Sequence, residues 1–128
     1  MSTHGNSDAR AIAAGEDLVG ADVLYRCISY GGTITGTNAP GRQAGVLVSK
    51  GKSGEAVSYV TQGEVKVRAG AAITTPGYPI TATGSGWFTA ASSGGMAIGR
   101  YLGTGACASG DIVTALVNFQ SPGYFAGT

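Results

Sequence analysis

Apolar and polar positions alternate along most of this chain in short bursts, each cut off by glycine before a helical face could form. Val23, Tyr25, Cys27 and Ser29 alternate with Leu24, Arg26, Ile28 and Tyr30, which predicts a half-buried strand ended by Gly31-Gly32. Ala44 to Ser49 and Glu55 to Thr61 predict a hairpin. Gln62-Gly63 then predicts a turn into Glu64-Val65-Lys66-Val67-Arg68, with the valines on one face and Lys66 and Arg68 together on the other, outward one. Tyr78 to Thr81 predicts a brief strand at a sheet edge, because Pro79 has no N–H to give a ladder. Trp87 to Ala91 and Ile98 to Leu102 predict further strands, and Asp111 to Phe119 the last. About eight short strands at roughly ten-residue spacing predict an all-β fold, a compact small barrel or sandwich.

One phrase occurs twice. Ala44-Gly45-Val46-Leu47-Val48, a polar loop and Gly54-Glu55-Ala56-Val57-Ser58-Tyr59-Val60 form the first copy. Ile98-Gly99-Arg100-Tyr101-Leu102, a Gly/Ala/Ser loop and Gly110-Asp111-Ile112-Val113-Thr114-Ala115-Leu116-Val117 form the second. Each reads as strand, glycine turn, acidic residue, strand, so the body is expected to contain two related hairpins. Glu55 and Asp111 follow a glycine at a strand start, where a carboxylate accepts N–H groups of the turn.

Composition supports this reading. Glycine supplies 23 of 128 residues and the longest stretch without one is Asp111 to Pro122, which excludes long helices, since interior glycine costs a helix about 1 kcal/mol relative to alanine. The length sets one domain with terminal arms. Residues 1–20 are polar apart from a small Ala-rich patch at Ala9 to Ala14, where Ser7 could cap one helical turn, and are expected to form an extended N-terminal arm. Residues 21–119 form the β body, and 120–128 a tail in which Tyr124 and Phe125 have no evident place within the chain. Deleting residues 1–20 is expected to leave that body folded.

Charged residues are only 12% of the chain and the net charge is +1, which excludes the strong basic field of a nucleic-acid binder. A surface so poor in charge is expected to be covered by partners. No apolar run reaches membrane-spanning length. The opening Met1-Ser2-Thr3-His4 leads into polar sequence without a secretory pattern, so Cys27 and Cys107 are expected as thiols in preference to a disulfide.

Candidate chemistry is sparse. His4 is the only histidine and would have to serve any Ser-His-Asp or Cys-His mechanism, yet it lies in the arm. One histidine and two distant cysteines do not make a metal site. Asp8, Glu16, Asp17 and Asp22 are too scattered for a calcium loop and read as a solvated acidic cluster able to meet cationic side chains of a partner. Glu55 and Asp111 as a glycosidase pair yield to their role in the turns. Gly84-Ser85-Gly86 and Gly103-Thr104-Gly105 lack the lysine and helix of a phosphate-binding loop. The chain is therefore expected to be no enzyme and to carry no cofactor or metal.

The run from Ala13 to Phe119 resembles the tailed-phage capsid decoration proteins, also called capsid cement or head-stabilising proteins. The resemblance is carried by Ala14-Gly15-Glu16-Asp17-Leu18, Gly45-Val46-Leu47, Ser53 to Val60, Gly63 to Ile73, Ser85 to Ala91, Ile98 to Leu102 and Ala108 to Val113, in that order. The chain departs from the family in Thr33 to Arg42, in Pro76-Gly77-Tyr78-Pro79 and in its tail. The resemblance implies a β body, often trimeric, on the exterior of an icosahedral shell. There it binds where major capsid protein subunits meet and resists the pressure of packed DNA, with no catalytic residues.

On this reading the partners are the major capsid protein and the chain's own copies in a homotrimer, with no direct nucleic acid and no membrane. Capsid or subunit contacts are expected from Asp8, Arg10, Ile12, Glu16, Asp17 and Leu18 in the arm, Lys66 and Arg68 on the body, one ring of the Trp87-Phe88 pair, taken as Trp87, and Tyr124 and Phe125 in the tail. Three modest contacts joined in one trimer would add through effective concentration. The rival readings are a phage surface or tail adhesin that binds carbohydrate, and a small hydrolase relying on His4.

Overall fold

The computed structural model describes residues 7–34, 43–83, 86–91, 96–119 and 123–124. Its strands are β1 (Ser7–Ala13), β2 (Cys27–Ser29), β3 (Gln43–Leu47), β4 (Ala56–Arg68), β5 (Pro79–Ala82), β6 (Phe88–Ala90), β7 (Met96–Ala97), β8 (Gly99–Tyr101), β9 (Ile112–Asn118) and β10 (Gly123–Tyr124). Eight of them form one sheet in the order β2-β3-β4-β9-β8-β5-β6 with β1 beside β4, and β10 pairs with β7. All the strand pairings are antiparallel. The sheet curls into a nearly closed barrel: Gly70 N–H donates to Phe88 O and Cys27 N–H to Gly86 O, which brings the two ends of the strand order together. The all-β expectation holds, and the architecture is a barrel.

The repeated phrase is repeated in space. Val46 lies opposite Val60 and Leu47 opposite Tyr59 in the first hairpin; Arg100 lies opposite Leu116 and Tyr101 opposite Ala115 in the second. The outer rungs match as well, Val48 N–H to Ser58 O and Leu102 N–H to Thr114 O. A Cβ on Gly45 would sit 2.3 Å from Val60 O, and one on Gly99 2.4 Å from Leu116 O, so the same rung of each hairpin admits only glycine. The turns match too: Lys52 N–H donates to Glu55 Oε1 at 2.7 Å and Ala108 N–H to Asp111 Oδ2 at 2.9 Å, while Gly54 and Gly110 both take positive φ. The acidic residues are turn anchors.

The hairpins meet along β4 and β9. Gln62 faces Asn118, its own counterpart in the repeat, so an approximate twofold axis passes between them. Gly63 opposite Val117 is matched across that axis by Phe119 N–H bonded to Thr61 O. β9 pairs with β4 only from Gln62 onward; β1 pairs with it from Ala56 to Gly63 and, since Gln62 and Gly63 take partners from both strands, lies on the opposite edge of β4.

Four expectations are corrected here. Ser7 to Ala13 is a strand and not a helical turn, because β4 offers it an open ladder edge. Residues 7–20 belong to the body: Ala14 is 3% and Leu18 1% exposed, and Gly54 N–H donates to Ala14 O. Gln62-Gly63 is not a turn: β4 runs through it with an extra residue, Thr61, between the β1 partners Val60 and Gln62, and with Gly63 at φ 111. β5 is flanked by β6 and β8, so it is no edge; Pro79 stands at its first residue, where a missing N–H is tolerated.

Two apolar clusters result. Cys27, Val46, Val60, Val67, Ile73, Ile80, Phe88, Ile98, Tyr101, Ala115, Val117 and Phe119 fill the barrel. Ala14, Leu18, Val23, Ile28, Ala44, Leu47, Val57 and Tyr59 form the second, on the opposite face of β2, β3 and the first half of β4. The segment from Ala14 to Val23 covers that face.

Candidate functional site

The cover ends where β9 begins. Side chains of β9 alternate, with Val113, Ala115 and Val117 turned into the barrel and Ile112, Thr114 and Leu116 turned out. By register Leu116 lies between Arg100 on β8 and Glu64 on β4, Thr114 between Leu102 and Lys66, and Ile112 beside Arg68. Leu102, Ile112 and Leu116 are 41%, 46% and 49% exposed, which makes an apolar strip on an outer sheet face where polar residues are the rule. Glu64 and Lys66 border the strip on the β4 side and form no ion pair among the described residues. Arg100 borders it on the other side and donates from Nη1 to Gly77 O at 3.0 Å.

A second arrangement closes the barrel seam. The Arg26 guanidinium sits 4.3 Å from the Trp87 ring centroid and that of Arg68 5.6 Å away, a cation–π arrangement joining three distant parts of the chain. Asp22 holds Arg26 from 3.2 Å, and Arg68 Nε donates to Leu24 O. Gly70 makes room, since a Cβ there would lie 2.6 Å from Trp87 Cβ. Beside this seam Gly70, Thr83, Trp87, Ser109 and Gly110 line an open hollow of about 250 Å³, with no carboxylate among the described residues of its lining. Among the described residues no three His, Cys, Asp or Glu side chains gather as a metal site.

The residues expected as contacts therefore separate. Lys66 is exposed and faces outward as its alternation requires. Arg68 shares its face but is half-buried and engaged with Trp87, and Trp87 is itself partly covered, while Phe88 is fully in the core. Leu18 lies in the second core cluster and leaves the contact set; Ile12 packs against the same cluster. Glu16 and Asp17 are exposed, but their carboxylates accept Ile34 N–H and Ser53 N–H, both at 2.8 Å, and so fasten the covering segment. Arg10 is exposed on β1, and Asp8 pairs through its backbone with Gln62. The backbone of Tyr124 pairs with that of Met96. Phe125 and His4 lie outside the described residues.

The cysteines are both free thiols. Burial pushes the Cys27 thiol far up, which keeps it protonated and inert. The Tyr101 hydroxyl donates to Gly105 O; desolvation first, then Cys107 and Asp111 nearby, raise its pKa above the usual phenol value.

Leu102, Ile112 and Leu116 were not singled out from the sequence. The available signal was Asp111 to Val117, whose apolar residues fall on both parities and so predict a strand buried on two sides.

No family model matches the chain, and no curated protein matches it in sequence. Its fold is similar to that of a solved structure, the N-terminal base of head fiber gp8.5 of bacteriophage phi29, at 15% sequence identity and a TM-score of 0.62. The match covers 88% of this chain and 95% of that one, so the likeness takes in nearly the whole barrel.

Proposed function

We propose that this chain is a structural protein of a tailed-phage head, bound to the outside of the assembled shell as a homotrimer and cementing adjacent major capsid protein subunits. The observation that carries the proposal is the fold likeness to a phage head fiber base over nearly the full length of both chains. The resemblance of its ordered sequence phrases to those of decoration proteins supports the same reading. The apolar strip on the β8-β9-β4 face, on a chain with only 12% charged residues, fits a protein that works by contact and not by turnover.

The mechanism is multivalent attachment. One protomer's contact with the shell is modest; three joined rigidly raise the effective concentration of each remaining contact once the first is made. Attachment then resists outward pressure, because a capsid subunit leaving its place must break several contacts together.

Cosedimentation tests this. Purified protein mixed with heads assembled without it is expected to pellet with them and to saturate at a fixed ratio to capsid subunits. Protein that stays in the supernatant at every ratio overturns the proposal. A glycan array run beside it addresses the adhesin reading, which the covering of Trp87 by Arg26 disfavours.

A further inference from the structure

The first hairpin supplies a measure for the second. Its outer face, Leu47 and Tyr59 with Val57, is closed by Ala14, Leu18 and Val23 from the same chain. In the second hairpin the outer face is Arg100 and Leu116 with Leu102 and Ile112, and no segment among the described residues closes it: all three apolar residues keep at least 41% of their surface exposed. Leu116 is the counterpart of Val60, which is 5% exposed. Three large apolar residues, two on β9 and one just past the end of β8, are a patch and not scattered exposure.

The charges say what closes it. Across the strip the order is Arg100, Leu116, Glu64, a cation on one flank and an anion on the other, with Lys66 next to Glu64. A partner of a single sign would leave either Glu64 or the cations Arg100 and Lys66 unmatched. A second copy of the same face, turned about an axis beside the strip, places its Glu64 flank on the first copy's Arg100 flank. The same contact then repeats around a closed ring. Leu116, Ile112 and Leu102 of each copy come together inside that ring of opposite charges.

We infer that the outer face of β8, β9 and the second half of β4 is the surface that joins copies of this chain, with Arg100 of one copy paired to Glu64 of the next and Leu116 at the centre of the contact. The inference takes its copy number of three from the trimeric reading above; the choice of surface comes from the strip and its flanks.

The test is the mass of the full chain by light scattering across a dilution series, for the native sequence and four variants. The native protein is expected at three times the protomer mass, and Leu116→Arg at the protomer mass. Glu64→Arg and Arg100→Glu are each expected to weaken association about tenfold or more, and the double variant Glu64→Arg/Arg100→Glu to recover most of that loss, because the pair is restored with its signs exchanged. Circular dichroism checks that each variant is folded; should Leu116→Arg not fold, the charge pair alone decides. A native protein that is monomeric at every concentration overturns the inference. So does a trimer indifferent to Leu116→Arg, or a double variant no better than the singles. A monomer that still pellets with heads removes this surface and leaves the head reading standing; a trimer with these sensitivities that ignores heads does the reverse.

Discussion

The two hairpins share a register, a glycine at the same rung and a carboxylate anchoring the same turn, yet they are turned over relative to the barrel. In the first, Val46 and Val60 point into the barrel and Leu47 and Tyr59 point out, beneath the covering segment. In the second, Tyr101 and Ala115 occupy the places of Leu47 and Tyr59 but point in, and Arg100 and Leu116 point out. The extra residue in β4 at Thr61 accounts for the reversal, since one inserted residue exchanges the faces of everything beyond it. Local sequence thus dictates hairpin geometry, while burial is decided by what lies over each face.

The harshest way to break the comparison is to remove the first hairpin's cover. Deleting residues 1–20 takes away β1 and Leu18, exposes the edge of β4 and uncovers Leu47 and Tyr59. Such a chain is expected to unfold or aggregate, read by circular dichroism and sedimentation, against the sequence-based expectation of an intact body. Next comes Leu47→Ala at a position with no exposed surface, expected to cost about 3 kcal/mol in urea unfolding.

Gly45→Ala and Gly99→Ala sharpen the equivalence, because both force a methyl against a strand carbonyl. Each is expected to cost about 2 kcal/mol, Gly45→Ala the more, since Tyr59 Cδ2 would also lie 2.8 Å from the new atom. Glu55→Ala and Asp111→Ala remove the matching turn anchors and are expected to cost about 0.5–1 kcal/mol each by thermal melting. Smallest is Leu116→Ala, measured where the protein is dilute, with a change within about 0.5 kcal/mol. A loss there as large as that of Leu47→Ala would mean the two outer faces are equally covered.

Much of this was legible in the sequence. The repeat announced both hairpins; Gly54-Glu55 and Gly110-Asp111 announced their turns; Val65 and Val67 against Lys66 announced the faces of β4. β1 was not legible, because Ala9, Ala11 and Ala13 have no strand preference of their own and pair only because β4 leaves an edge open. Gly63 misled because glycine marks bulges as readily as turns. The seam joining Arg26, Arg68 and Trp87 rests on long-range closure that no local pattern carries. The carboxylates of Glu16 and Asp17 looked free for a partner, but the backbone N–H groups they accept belong to loops distant in sequence.

The most direct measurement follows one introduced thiol at each of two equivalent positions of the repeat, 116 turned outward and 60 turned into the barrel. A trace of Leu116→Cys protein, in a Cys107→Ser background, is mixed with excess native chain and reacted with a maleimide, first dilute and then concentrated. A Val60→Cys trace runs in parallel. The thiol at 116 is expected to react freely when dilute and to become strongly protected when concentrated, while the thiol at 60 stays protected throughout. Equal reactivity at 116 under both conditions would contradict the claim that this uncovered face is where the chain meets its neighbours.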